Sequence, residues 1–248
     1  MRPIGFSTEA FIDRTLAEVV HLISLESRVI ELVSHSVLDL KPLLISMYGP
    51  DTFNLDLYSM DKVSIRLPKY FNDIEEIYIC RWLYLHAFPR PLILVRPRNI
   101  TEPAMCMWEK EFGQSLCFED DWTRENLKEK AEQLEKLYEK LPQAGFCLDL
   151  GKIRQEDPTM GLARLLLRRF GSRLKQVRLS EIDSKGKHCK MSVLTQLACQ
   201  TIADMIPEDV RVIIDSEVSK SEMVKEMITA QIALHSENSR YEGYDDAY

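Results

Sequence analysis

In the run FCLDLGKI, residues 146–153, an apolar stretch ends in Asp149, Gly151 follows, and Lys152 comes next. A carboxylate and an amine this close can share acid–base work if the surroundings shift the amine's pKa. They can also simply neutralise one another as an ion pair. Two more carboxylates close apolar runs, Glu119 in LCFED and Asp215 in VIIDSE. Arginines stand at corresponding places in other runs: Arg66 in SIRLP, Arg96 in LVRP and Arg178 in VRLSE. An arginine fork suits phosphate or carboxylate, stays protonated and offers no lone pair. Glu119, Asp149, Lys152 and Asp215 are therefore the candidate catalytic groups. Arg66, Arg96 and Arg178, with Glu181 and His188, are the candidate ligand-binding groups.

The elements that must position these groups alternate between short β-like and longer helix-like runs. Candidate strands span 3–7, 28–33, 62–67, 91–96, 115–120, 145–150, 173–181 and 210–217. Candidate helices, read from apolar residues at helical spacing, span 15–25, 37–48, 74–88, 123–142, 158–170, 191–206 and 219–233. Pro158 marks the start of one of them. Alternation without a Gly/Ser/Pro-rich linker points to one α/β domain with a parallel sheet over 1–232, followed by a polar tail over 233–248. A closed barrel fits the number of units, with a doubly wound open sheet as the alternative. Side chains alternate along a strand, so Val63, Ile65 and Leu67 share one face while Ser64 and Arg66 share the other. By the same rule Glu119, Asp149, Arg178 and Asp215 lie opposite the apolar residues of their strands. Arg96 joins them although Leu92 and Leu94 share its parity. In a barrel this puts charge after charge into the lumen near the C-terminal strand ends, where ligand sites of such barrels are built.

The rest of the sequence narrows the function classes. A chain of 248 residues with net charge −7 has no broad basic face for nucleic acid. The first apolar segment, TLAEVVHLISL, carries Glu18 and His21, lacks a small-residue cleavage site and is too short for a membrane span. Six cysteines without a C-x-x-C pair read as reduced thiols in a cytoplasmic protein. DSKGKHCK reads as a turn, since it lacks full P-loop spacing. Trp82, Trp108 and Trp122 read as packing residues.

In order along the chain, IGFSTEAF, VIELVS, LCFEDDW, GFCLDLGK, LKQVRLSEIDSKGKH and VIIDSEVS resemble strands one, two, five, six, seven and eight of the xylose isomerase-like barrels. That superfamily holds sugar isomerases, sugar-phosphate epimerases and metal-dependent apurinic-site endonucleases. The resemblance is strongest over residues 113–232 and implies a single (β/α)8 TIM barrel. It also implies that Glu119, Asp149 and Asp215 stand where the family places metal-binding carboxylates. The family's histidines are replaced by Arg66, Arg96, Lys152 and Arg178; only His188 is a histidine at a position the family sometimes uses. With the nitrogen donors gone, neither a metal nor any other cofactor is expected.

Three readings follow. In the first, the chain is a metal-free, non-catalytic relative whose Arg/Lys–carboxylate cluster is structural. In the second, it is an isomerase/epimerase-like enzyme or binder that grips a small anionic sugar, phosphorylated or carboxylated. Four cations against three anions leave room for one more negative charge, unless Glu31 or Glu181 supplies it internally. The third, a metal-dependent isomerase or endonuclease, lacks its ligands. Neither nucleic acid nor membrane is an expected partner. The sequence is silent on oligomeric state.

Overall fold

The computed structural model describes residues 2–33, 56–67, 81, 89–96, 102–119 and 127–235. The helices expected over 37–48 and 74–88 lie almost wholly outside them, as do Trp82, Trp122, and the expected tail from residue 236 onward. Eight parallel strands close a barrel in chain order: β1 (Ile4–Ser7), β2 (Val29–Val33), β3 (Lys62–Arg66), β4 (Leu92–Val95), β5 (Leu116–Glu119), β6 (Gly145–Asp149), β7 (Leu174–Leu179) and β10 (Arg211–Ile214), which pairs back onto β1. Between β7 and β10 a two-residue antiparallel arm, β8 (Glu181–Ile182) with β9 (His188–Cys189), rises from the end of β7. The DSKGKHCK segment is its turn, with Gly186 at φ 81° and the Asp183 carboxylate accepting from the Lys185 and Lys187 amides.

The strand faces divide as the alternation requires. Ile30, Ile65, Ile93, Phe118, Phe146, Val177 and Ile214 point outward into the main core under the helices. Leu92, Leu94, Cys117 and Cys147 form a separate apolar layer. Leu92 and Leu94 therefore do share the lumen face with Arg96, and they fill the barrel below the charged groups. The five described cysteines are free.

Among the described residues the α-helices are α1 (Leu16–Glu26), α2 (Glu102–Phe112), α3 (Leu127–Lys140), α4 (Leu150–Glu156), α5 (Gly161–Phe170), α6 (Val193–Gln200) and α7 (Met223–Ala233). α1 opens on a capping box between Thr15 and Glu18. α5 turns Leu162, Ala163, Leu166, Leu167 and Phe170 inward. None of the described helices is long and apolar enough to cross a membrane.

Three boundaries differ from the sequence expectation. α2 is an additional helix, with Met105, Trp108 and Phe112 packed at helical spacing. α4 begins where the sixth strand was expected to continue, because the Asp149 side chain caps it at once. α5 starts at Gly161 rather than Pro158. Asp157 instead holds a turn by accepting from Thr159 and Leu162, and Met160 sits at φ 59° before the helix begins.

At the opposite end of the barrel Arg2 fastens the start of β1 to the segment before β10 and to the end of α7. Its guanidinium donates to the carbonyl oxygens of Leu234 (3.1 Å), Ile206 (2.8 Å), Pro207 (2.8 Å) and Ala203 (3.2 Å). Arg2→Ala would leave these carbonyls without their charged donor. Charge-assisted hydrogen bonds of this kind contribute on the order of 1.5–3 kcal/mol each, not additively. A loss of stability of about 2–4 kcal/mol by denaturant titration is the expected result.

Candidate functional site

The residues singled out by type and parity meet at the C-terminal end of the lumen. Register explains why: Asp149 pairs with Arg178 across β6 and β7, Ile213 pairs with Arg178 across β10 and β7, and Glu31 pairs with Ser64 across β2 and β3. Arg178 lies at the centre, with only 1% of its side chain exposed. Its Nη2 donates to Asp215 Oδ2, and Nη1 lies 3.5 Å from Asp149 Oδ2 and 3.8 Å from Glu119 Oε1. Its Nε lies 3.4 Å from Glu31 Oε1. Four buried carboxylates, within four strands or at or just beyond their ends, thus converge on one guanidinium.

The other cations stand around this centre. Arg66 Nε lies 2.8 Å from Glu119 Oε1, and its Nη1 donates to Glu9 Oε2 at 2.9 Å. Arg96 Nε donates to the second Glu119 oxygen at 3.2 Å. Lys152 Nζ is 3.7 Å from Asp149 Oδ2, while the Lys152 amide donates to Asp149 Oδ1 at 3.0 Å. Asp149 therefore caps α4 with one oxygen and faces the cluster with the other. Gly151 makes this turn feasible, since a Cβ there would come within 2.6 Å of Ser180 Oγ and 2.8 Å of its carbonyl oxygen. His188 Nδ1 contacts Ser180 Oγ at 2.8 Å and Asp215 Oδ2 at 3.4 Å, which ties the β8–β9 arm to the cluster.

Glu181 is not in the cluster. Its carboxylate accepts from the Ser192 amide at 2.6 Å and the Thr195 hydroxyl at 3.0 Å, at the start of α6. Those donors hold its pKa below the usual range despite its partial burial. The sequence signal that picked it, the SE after Arg178, belongs to helix capping rather than to the lumen.

Two residues in the cluster were not among the candidates. Gln176, two residues before Arg178 and hence on the same face, reaches Glu31 Oε2 at 2.5 Å. Glu9, from the turn after β1, binds Arg66 from outside the strand pattern. Parity along QVRLSE would have found Gln176; nothing in the strand pattern points to Glu9. Of Glu31 and Glu181, the two internal carboxylates the sequence offers, Glu31 is the one that lies in the cluster, beside Arg178.

The electrostatics follow from this packing. Burial pushes the Glu119 carboxyl up, but Arg66, Arg178, Lys152 and Arg96 outweigh it and hold the group at about 2. Burial likewise raises Asp149, and Lys152 and Arg178 more than reverse it. For Glu31 burial wins over Arg178 and Arg66, and the group is pushed up to about 7. Arg178 is desolvated, yet its four carboxylate neighbours keep it firmly charged. A divalent metal, implied by the resemblance, does not fit these residues. The space among the carboxylates is filled by the Arg178 guanidinium, and among the described residues no three His, Cys, Asp or Glu side chains are disposed to hold an ion.

Beside the cluster, a cleft of about 830 Å³ opens between the turn after β1, the β8–β9 arm and the segment after β10. Phe11, Arg14, Lys187, His188, Lys190 and Lys220 are among its lining residues. Two of its lysines are paired across it, Lys187 with Glu217 at 2.7 Å and Lys190 with Glu222 at 2.5 Å. His188 borders both the cleft and the buried cluster.

The chain is similar in structure to the apo form of 3-keto-D-glucoside 4-epimerase, YcjR, from E. coli, with a TM-score of 0.59 over 94% of this chain and 99% of that one. Their sequence identity is 13%, so the likeness establishes the fold alone, a single (β/α)8 barrel. No family model and no curated protein matches the sequence.

Proposed function

We propose that this chain is a metal-free, non-catalytic barrel of the sugar isomerase/epimerase fold, in which a tethered guanidinium takes the place of a metal ion as the cation that holds the strand-end carboxylates together. The observation that carries this reading is the position of Arg178, buried within 3.8 Å of Glu31, Glu119, Asp149 and Asp215. Proton-transfer chemistry at neutral pH needs a reachable group that titrates near neutrality. Glu119 is held at about 2 and Asp149 below its ordinary range, so both are weak bases. Glu31 is poised near neutrality, yet it has no exposed surface from which to meet a ligand.

The charge count, which left room for an anion when read from the sequence, supports the same conclusion. Among the described residues Glu9, Glu119, Asp149 and Asp215 already equal Arg66, Arg96, Lys152 and Arg178 in number, before Glu31 is counted. The test is solvent-hydrogen exchange by NMR, with the protein incubated in D₂O with neutral and phosphorylated ketoses and aldoses, with and without added Mn²⁺ or Zn²⁺. No deuterium incorporation above the protein-free control is expected under either condition. Metal-stimulated incorporation into any sugar would overturn the proposal.

The cleft beside His188 favours a second reading, in which the barrel binds a small anionic sugar without transforming it. Its cationic lining, Arg14, Lys187, Lys190 and Lys220, is matched by nearby carboxylates, so binding would use hydrogen bonds as much as net charge. A ligand bound only to the folded state raises the melting temperature by mass action. On this reading a millimolar sugar phosphate stabilises the protein more than chloride at equal ionic strength, and Arg14→Ala with Lys220→Ala removes the difference. Identical effects of all salts would exclude it.

A further inference from the structure

We propose that Glu31 is a neutral carboxylic acid in the folded barrel and donates its proton to the side-chain carbonyl of Gln176, so that folding takes up one proton and the barrel loosens when that proton is lost.

The sealed charges of the cluster do not balance. Of the described groups in the cluster with less than a tenth of the side chain exposed, four are carboxylates (Glu31, Glu119, Asp149 and Asp215) and two are guanidiniums (Arg66 and Arg178). Glu119 gains Arg96, Asp149 gains Lys152, and Asp215 gains the closest Arg178 nitrogen and His188. Glu31 is left with Arg178 Nε at 3.4 Å, a contact outside hydrogen-bond geometry at both atoms. An unpaired buried charge costs several kcal/mol, and such a group neutralises itself instead.

The partner atoms fit a neutral acid. The Gln176 atom facing Glu31 Oε2 is 2.5 Å away, while Gln176 Oε1 has no hydrogen-bond partner among the described residues. That spacing lies below the usual range for N–H···O and at the short end of the range for O–H···O. A half-turn of the Gln176 amide, whose two ends are nearly identical in shape, brings its carbonyl oxygen to Glu31, where it accepts the acid proton.

Every neighbouring element contributes to the setting. Ser7 on β1 and Ser64 on β3 sit opposite Glu31 in register and carry no charge. Arg66 on β3 and Arg178 on β7 favour the carboxylate, whereas Asp215 on β10 and Glu119 on β5 oppose it. Below lie Arg211, which donates to the Val63 carbonyl, and the neutral thiols Cys117 and Cys147. Burial decides the outcome and lifts the group from its ordinary value near 4.5 to about 7.

The sign of the linkage follows. The folded state holds the Glu31 proton more tightly than the unfolded chain does. Its contribution is fully present below pH 4.5 and is lost as pH rises through 7. Glu119 works in the opposite sense: its contribution is present above pH 4.5 and is lost as pH falls towards 2.

The test uses the full chain in a Glu226→Gln background, because Glu226 is another carboxyl that burial pushes up. Two measurements are made, the infrared band of protonated carboxyl groups in the folded protein and the protons released on denaturant unfolding at pH 6. The band should be present at pH 6 and fade through neutrality, and unfolding should release about one proton more than it does after a further Glu31→Gln change. Glu31→Gln should also flatten the fall in melting temperature between pH 5 and pH 8. If that variant does not fold, Gln176→Leu provides the check, since loss of the acceptor should shift the band. An absent band at pH 6, or a band and proton count unchanged by Glu31→Gln, would overturn the proposal.

Discussion

Arg178→Ala is expected to lower the melting temperature by roughly 6–20 °C. Removing one partner of a buried ion pair costs about 3–5 kcal/mol, and 1 kcal/mol corresponds to about 2–4 °C in a chain of this size. The effect is large because the guanidinium is shared by Asp215, Glu31, Glu119 and Asp149. Without it those carboxylates face one another across an unfilled space. The same reasoning predicts a pH signature. The bared carboxylates would bind protons more tightly in the folded state, so the damage should be greatest at pH 8 and smaller at pH 5. Arg178→Lys should recover little, because one ammonium cannot reach donor positions spread over the guanidinium plane. Thermal melts of the three proteins at both pH values provide the check. A variant that melts with the unmodified protein would mean the cluster contributes nothing to the fold.

The second large effect is a gain of metal binding. Changing Arg66, Arg96, Lys152 and Arg178 together to histidine removes four positive charges at neutral pH and supplies imidazole donors beside Glu119, Asp149 and Asp215. The quadruple variant is expected to be less stable than the unmodified protein when metal-free. Zinc or manganese should then restore part of the loss, since metal binding to the folded state is folding free energy. Melting curves with metal and with chelator would show this. A variant that folds and stays metal-free would mean that these strand ends are not spaced for coordination.

Much of the site could be read from the sequence because period-two alternation is a local property. Val63 and Ile65 against Arg66, or Leu148 against Asp149, assign faces without any knowledge of tertiary contacts, and the barrel places one face of every strand in the lumen. Leu92 and Leu94 looked inconsistent with Arg96 only because a lumen-facing residue was expected to be polar. Below the charged groups the lumen is a packed apolar layer.

What was not legible depended on local capping and long-range packing. Glu181 looks like a site residue in VRLSE, but the chain leaves the barrel at Ser180 and the carboxylate turns to Ser192 and Thr195. α4 was hidden because Asp149 ends a strand and caps a helix with the same side chain. Arg2 carries no signal in the sequence, and only the packing of the segment before β10 and the end of α7 beside the start of β1 gives it four carbonyl partners. Glu9 and Arg66 are 57 residues apart, and no periodicity links them.

The central claim is that Arg178 occupies the space a metal ion would need. Elemental analysis of the unmodified protein, expressed in metal-supplemented medium and purified without chelator, tests it most directly. The account predicts substoichiometric zinc, manganese, iron and cobalt, and a melting temperature that chelator leaves unchanged. One tightly bound ion per chain, with a melting temperature that falls when it is stripped, would contradict it.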